Sequence, residues 1–99
     1  MEEKEAMRGL EFTEFSSHEG ESFDLLLDGQ TLPLTLSKVT ELPPTQREGG
    51  AFTLEWTGPS EPALPQGIYS LRRNDMTYEM FLVAIGQDRS ATRYEAIFN

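Results

Sequence analysis

The side chains that could carry acid–base or nucleophilic chemistry in this sequence are few and poorly spaced for it. His18 is the only histidine, and it directly follows Ser16 and Ser17. A serine nucleophile must meet its base in space, with an acid that orients the base, so adjacency along the chain does not make a triad. The sequence also has no G-x-S-x-G elbow. We therefore expect no serine hydrolase, and we expect His18 to lie solvated in a loop.

Carboxylates are abundant, and any two of them could reach the separation of about 5–10 Å that glycosidases use. With so many acids, such a pair is expected by coincidence. Asp24 and Glu55 alternate with apolar residues, which predicts an outer, solvated face for both. Asp24, Asp28 and Asp88 offer oxygen ligands for calcium, but the D-x-D-x-D-G spacing with its later Glu is missing. We predict no catalytic, cofactor-binding or metal-binding residue and no cofactor.

Two further patterns only superficially resemble ligand sites. Gly49, Gly50 and Gly58 could suggest a phosphate loop, but no G-K-[ST] follows them, and they are predicted to be turn residues. Arg72 and Arg73 form a small basic cluster, which we expect to balance neighbouring acids. Because cysteine is absent, thiol nucleophiles and thiolate zinc sites are excluded.

The charge balance limits the class of partner. The 99 residues include 8 Lys and Arg against 17 Asp and Glu, a net charge of −9. Such a chain is a poor match for nucleic acid or an anionic membrane, so a protein partner or self-association is expected. The start, MEEKEAMRGL, is acidic where a secretory signal is basic, and no apolar run approaches the ~20 residues of a spanning helix. We predict a cytoplasmic protein, with export in an assembled particle left open.

The elements that must position these residues are short β-strands. From Glu21 onward, apolar residues recur with period two in six segments separated by turn residues, and Asp28-Gly29 predicts a hairpin turn. The alternation slips by one residue after Leu36, which predicts a β-bulge. Trp56 follows the core parity of its strand, and Pro33 predicts an edge position. The six segments lie near residues 23–27, 32–39, 52–57, 68–71, 78–85 and 94–98.

These patterns predict a mainly β fold, a single small antiparallel sandwich or barrel of about six strands with a short N-terminal helix or turn. Residues 1–11 are expected to form a flexible acidic segment, and residues 12–99 a single β domain. The segment 78–85 is apolar on both faces, so we expect it to lie centrally and to be covered on two sides. Tyr78 and Phe81 fall on opposite faces, which leaves one face for the N-terminal segment or for another molecule.

Three segments carry a resemblance to a known family. Residues 64–69, 81–86 and 94–99, together with Gly20, Phe23, Phe52, Gly58 and Pro59, resemble an uncharacterised bacterial family of small β domains of unknown function. Members end in a YEAxFN-type tail, here YEAIFN, and their genes lie beside those of phage-tail-collar-like and other fibre proteins. The resemblance implies a structural or assembly role. The acidic residues 2–5 and the turn at Asn74-Asp75, where the family has a glycine, depart from that pattern.

We therefore predict a non-enzymatic interaction or assembly module that offers a sheet edge or face to a partner or to its own copies. The expected interface residues are Pro33, Phe81 and Ile97. One alternative is an acidic inhibitor or mimic that binds a basic partner site, and another is a small-ligand binder or enzyme in a barrel mouth.

Overall fold

A computed structural model describes residues 11–43 and 50–99, which form six strands and one short helix. Residues 1–10 and 44–49, which include the predicted flexible segment apart from Glu11, lie outside the described residues. The elements are α1 (Phe12–Ser16), β1 (Ser22–Leu27), β2 (Gln30–Glu41), β3 (Phe52–Gly58), β4 (Gly67–Arg73), β5 (Met76–Gln87) and β6 (Thr92–Phe98).

The strands close into an antiparallel barrel in the order β1-β2-β3-β6-β5-β4. The predicted mainly β fold of six strands is confirmed, and the choice left open between sandwich and barrel is settled as a barrel. β1 and β4 complete the circle by pairing residues 24–26 with residues 70–72. Each of the six described strands therefore has a neighbour on both sides, and none of them is an edge strand.

The local features that the sequence predicted at β1 and β2 are present. Leu27 pairs with Gln30 across the Asp28-Gly29 turn, where Gly29 has φ +80°, a conformation that glycine adopts without strain. The bulge after Leu36 is confirmed, because Leu36 pairs with Trp56 while Lys38 pairs with Glu55. A second register shift, between Ala84 and Gly86 on β5, was not predicted.

The edge position predicted from Pro33 is wrong, since β2 lies between β1 and β3. Proline is tolerated there because β2 extends beyond the end of its ladder with β3. The β2–β3 ladder begins at Thr35, so Pro33 is paired only with Asp24 of β1. The Leu36 N–H donates toward β1, to the Glu21 carbonyl. The nitrogen of Pro33, three residues earlier on an alternating strand, therefore faces the other side, where no ladder bond is required.

Side chains fill the barrel interior, and α1 closes one end of it. Phe15 of α1 is completely buried, and its ring centroid lies 5.0 Å from that of Tyr78 and 6.0 Å from that of Phe52. Trp56 is also completely buried, as its parity predicted, and it meets Phe23 edge-on at 5.0 Å. The predicted short N-terminal helix or turn is thus confirmed as α1. In the described part of the chain, no helix is long and apolar enough to cross a membrane.

A partly buried hydrogen bond holds α1 against β5. The Tyr78 hydroxyl donates to the Glu14 carboxylate at 2.5 Å. Burial of the phenol, followed by its bond to Glu14, raises the pKa of Tyr78 well above its ordinary value. The phenol therefore stays protonated as a donor throughout the physiological range.

The β4–β5 hairpin extends further than the sequence indicated. Arg72 and Arg73, which lie beyond the predicted strand segment 68–71, are the last residues of β4, and the turn consists only of Asn74 and Asp75. Asn74 adopts φ +56°, a left-handed conformation that asparagine tolerates better than other non-glycine residues. This tolerance explains how the turn forms without the glycine that the similar family has at this position.

Gly58 is a packing residue and not the turn residue that the sequence suggested. It is the buried last residue of β3, and a Cβ placed there would overlap Cδ2 of Leu34. Leu34 is completely buried and cannot move aside, so we expect Gly58→Ala to lower the free energy of unfolding by about 1–3 kcal/mol in urea titrations.

Gly86→Ala is the matched control for this substitution. Its new Cβ would meet the guanidinium end of the Arg93 side chain, which is exposed and free to swing away. We expect its unfolding free energy to stay within about 0.5 kcal/mol of wild type. Equal losses in both variants would contradict the packing role assigned to Gly58.

Candidate functional site

The side chains of the Ser-Ser-His segment form hydrogen bonds with residues nearby in the chain. The Ser16 hydroxyl donates to the Thr13 carbonyl at 3.3 Å, and the Ser17 hydroxyl to the Glu14 carbonyl at 3.0 Å. His18 is not the solvated loop residue that was expected. It is half-buried, its Nδ1 lies 3.0 Å from the Glu21 carboxylate, and its ring packs edge-on against Phe23. The histidine therefore ties the end of α1 to the barrel.

Glu21 links this segment to β4. Its carboxylate bonds both His18 and the guanidinium of Arg73. The prediction that this arginine balances a neighbouring acid is confirmed. Arg72, the adjacent residue, is the direct cross-strand partner of Asp24.

The remaining polar groups do not converge on a reaction centre. Within residues 11–43 and 50–99, no group of three or more His, Asp and Glu side chains could hold a metal ion. A shallow cleft of about 470 Å³ lies between the β3–β4 and β5–β6 connections, beside Ser60 and Asp88. Asp88 already accepts bonds from Ser90 and Ala91, which lower its pKa, and Gln87 donates to the Ser60 carbonyl. These side chains therefore hold the two loops in place by hydrogen bonds.

The most distinctive surface feature is apolar. Four large hydrophobic side chains are exposed in the described structure, and all four lie on the neighbouring strands β4, β5 and β6: Ile68 (71%), Phe81 (50%), Ile85 (44%) and Ile97 (56%). We call these four residues the outer patch. Ile68 and Phe81 are direct cross-strand partners. Phe81 and Ile97 each lie two residues beyond Val83–Glu95, the last pair of the β5–β6 ladder.

The structure brings together two of the three predicted interface residues. Phe81 and Ile97 belong to the outer patch, whereas Pro33 is exposed on β2, on the opposite side of the barrel from β5. Sequence reasoning missed Ile68 and Ile85. The parity of Tyr69 and Leu71, which point inward, could have assigned Ile68 to the outer face. The expectation that β5 is covered on both faces is wrong for the described residues, since Phe81 and Ile85 are open to solvent.

Carboxylates border the outer patch. Glu79 precedes Phe81 by two residues on β5, and Glu95 precedes Ile97 by two residues on β6, so both point outward. Glu95 is also the direct cross-strand partner of Glu55 on β3. Two like charges at this spacing repel each other. Lys38 lies opposite Glu55 on β2, but no cation faces Glu95 across a ladder in the described structure.

This repulsion can be measured. We expect Glu95→Gln to raise the free energy of unfolding by about 0.2–1 kcal/mol, because it removes a like-charge contact and no favourable partner. Glu55→Gln also loses the attraction of Lys38, so its gain should be smaller. Urea titrations at low salt give both values, and high salt should shrink the difference. A destabilised Glu95→Gln variant would show that this carboxylate has a partner the ladder does not reveal.

The fold and this surface together define a small closed six-stranded barrel with an apolar outer face. The chain belongs to the family described as a domain of unknown function, DUF6916, whose model matches residues 10–98. This match confirms the expected membership of a family of unknown function. Searches of curated proteins and of solved structures found no match.

Proposed function

We propose that this domain is a non-enzymatic protein-interaction module and that a partner protein docks on the outer patch. The observation that carries the proposal is the placement of all four exposed large hydrophobic residues on three adjacent strands. Exposed apolar side chains on neighbouring strands are unfavourable in water and are typical of an interface core. Ile68 and Phe81, which are cross-strand partners, supply its centre.

A face, and not a strand edge, supports this docking. The sequence left both modes open, but barrel closure gives each strand a neighbour on either side. Unpaired backbone remains where a strand extends past its ladder, as at residues 30–34 of β2 and 76–82 of β5, but a partner that pairs along a whole strand would have to displace one of these neighbours. A partner that packs on the outer patch leaves the barrel intact.

A binding role is favoured over catalysis because the polar side chains are used structurally. Ser16 and Ser17 bond their own helix, His18 bonds Glu21, and Asp88 bonds its own loop. The barrel interior is filled by side chains, with Phe15 closing one end. This packing favours the interaction module over a ligand site in the barrel mouth.

A different protein is the better occupant than a second copy. Each copy carries a net charge of −9, and a two-fold contact through the outer patch would bring Glu79 and Glu95 of both copies to the same interface. The setting suggested by the resemblance, a phage-tail-like or fibre assembly in a bacterium, is part of this proposal. So are the cytoplasmic location and the lack of a nucleic-acid or membrane partner.

Photo-crosslinking tests the proposal. A benzoylphenylalanine at position 81 should crosslink a distinct protein in the cells that make this chain, whereas the same group at Thr35, exposed on the opposite side of the barrel, should not. The identified partner should then bind the purified Phe81→Ser variant about tenfold or more weakly than wild type. Thr35→Ser is the control and should bind normally.

Other occupants give different products, which mass spectrometry distinguishes. A crosslink to a second copy, with a dimer mass in light scattering, would replace the partner by self-association. A crosslink from position 81 to residues 1–10 of the same chain would make the outer patch an internal contact. Either product overturns the proposal, as does full partner binding by Phe81→Ser.

A further inference from the structure

The geometry points to a partner whose contact surface places Lys or Arg side chains beside an apolar centre, an inference that rests on the proposed function. The outer patch supplies the apolar half of this surface. The three outward carboxylates next to it, Glu55, Glu79 and Glu95, supply the anionic half. We call these three residues the acidic border.

The acidic border lies close enough to act in the same contact. Glu79 and Phe81 are neighbours on the outer face of β5, and Glu95 and Ile97 are neighbours on the outer face of β6. Residues two apart on one face of a strand are separated by about 7 Å. A side chain that packs on Phe81 or Ile97 therefore brings its own neighbours within reach of a carboxylate.

The acidic border also contains a like-charge contact that the neighbouring strands only partly compensate, because Lys38 lies opposite Glu55 but no cation lies opposite Glu95 in the described structure. Glu55 and Glu95 oppose each other directly, and neither forms an ion pair with another described residue. Arg72 is the cross-strand partner of Asp24, and Arg93, two residues before Glu95 on β6, has its guanidinium beside Gly86 and forms no ion pair with Glu95 in the described structure. A cationic side chain placed between Glu55 and Glu95 would relieve their repulsion, so a basic partner gains more here than on an ordinary acidic surface.

Peptide binding tests the inference without the natural partner. The probe is a fluorescein-labelled peptide of about ten residues in which Leu and Lys alternate at every second position with Ser between them, which places apolar and cationic groups on the same face when the peptide is extended. The matched peptide has Glu in place of every Lys. Fluorescence anisotropy at about 0.05 M and 0.5 M salt gives the dissociation constants under weak and strong screening.

Two double variants with the same change in net charge provide the control. Glu55→Gln/Glu95→Gln removes two charges from the acidic border. Asp24→Asn/Asp75→Asn removes two charges from β1 and from the β4–β5 turn, away from the outer patch. We expect the border variant to bind the Lys peptide about tenfold more weakly than wild type and the control variant to change it less than about twofold. Phe81→Ser should also weaken binding about tenfold.

The outcomes separate this inference from the proposed function. Equal weakening of Lys-peptide binding by both double variants would mean that net charge alone attracts the peptide, and this result would overturn the inference. Failure of the Lys peptide to bind wild type at low salt would also overturn it. If both peptides bind alike and only Phe81→Ser matters, apolar docking stands and the cationic partner is wrong. If Phe81→Ser binds normally while the border variant does not, the proposed docking on the outer patch fails, and the acidic mimic becomes the better reading.

Discussion

Removal of residues 94–99 is expected to abolish folding. β6 lies between β3 and β5, and its pairs with β3 run from Phe52–Phe98 to Gly58–Thr92. The deletion removes most of these pairs and opens the barrel. It also takes Tyr94 and Ala96 out of the core, together with the Tyr94 hydroxyl that accepts a bond from the buried Leu64 N–H. Two new edges and a core cavity are more than a domain with about 5–15 kcal/mol of stability can absorb.

The ¹H–¹⁵N correlation spectrum of the truncated chain is the measurement, and collapsed amide dispersion is the expected result. Deletion of Asn99 alone is the control, because this residue is exposed and lies outside β6, so its spectrum should match that of the full chain. A well-dispersed spectrum from the longer deletion would contradict the six-strand closure as the basis of the fold.

Replacement of Phe15 by Ala is expected to lower the free energy of unfolding by about 3–5 kcal/mol. The side chain is completely buried, and its ring contacts Phe23, Phe52 and Tyr78. Its removal leaves a cavity at the end of the barrel and loosens α1, which the hydrogen bond from Tyr78 to Glu14 also holds against β5. Urea unfolding can be followed by the fluorescence of Trp56, the only tryptophan, which is itself buried in the core.

Phe81→Ala makes the same chemical change on the outer face. Because Phe81 is half-exposed, its loss should cost less than about 1 kcal/mol. Comparable losses at the two positions would mean that α1 does not close the barrel in solution. A large loss of stability in Phe81→Ala would also mean that Phe81→Ser does not leave the fold intact in the binding experiments.

Much of the fold follows from local patterns. The period-two alternation predicts all six strands, and the slip after Leu36 predicts a real bulge, because both record which face of a strand is buried. Closure is not local in this sense. It depends on the register between β1 and β4, which no short pattern encodes. The edge position predicted from Pro33 was wrong because β3 ends before it reaches Pro33, so a proline is tolerated in a strand that has neighbours on both sides.

The outer patch was only partly predictable for the same reason. Phe81 and Ile97 could be assigned outward from the parity of their own strands, and Ile68 could have been assigned in the same way. Their proximity depends on the strand order β4-β5-β6. The opposition of Glu55 and Glu95 needs the β3–β6 register, which joins strands separated by two others in the sequence. Pro33 was predicted to lie at the same interface because the strand order was not known from the sequence. It lies on the opposite side of the barrel.

Barrel closure also has a consequence for the rate of folding. Four of the six ladders join strands that are consecutive in the chain, but β3–β6 and β1–β4 do not, and Asp24 and Arg72 pair across 48 residues. Bringing such distant segments together costs chain entropy before any contact compensates for it, so folding should fall in the slow range of small β proteins, about milliseconds to seconds. Until β1 meets β4, both strands have exposed edges. The nascent chain, and not the finished barrel, is the form most open to aggregation.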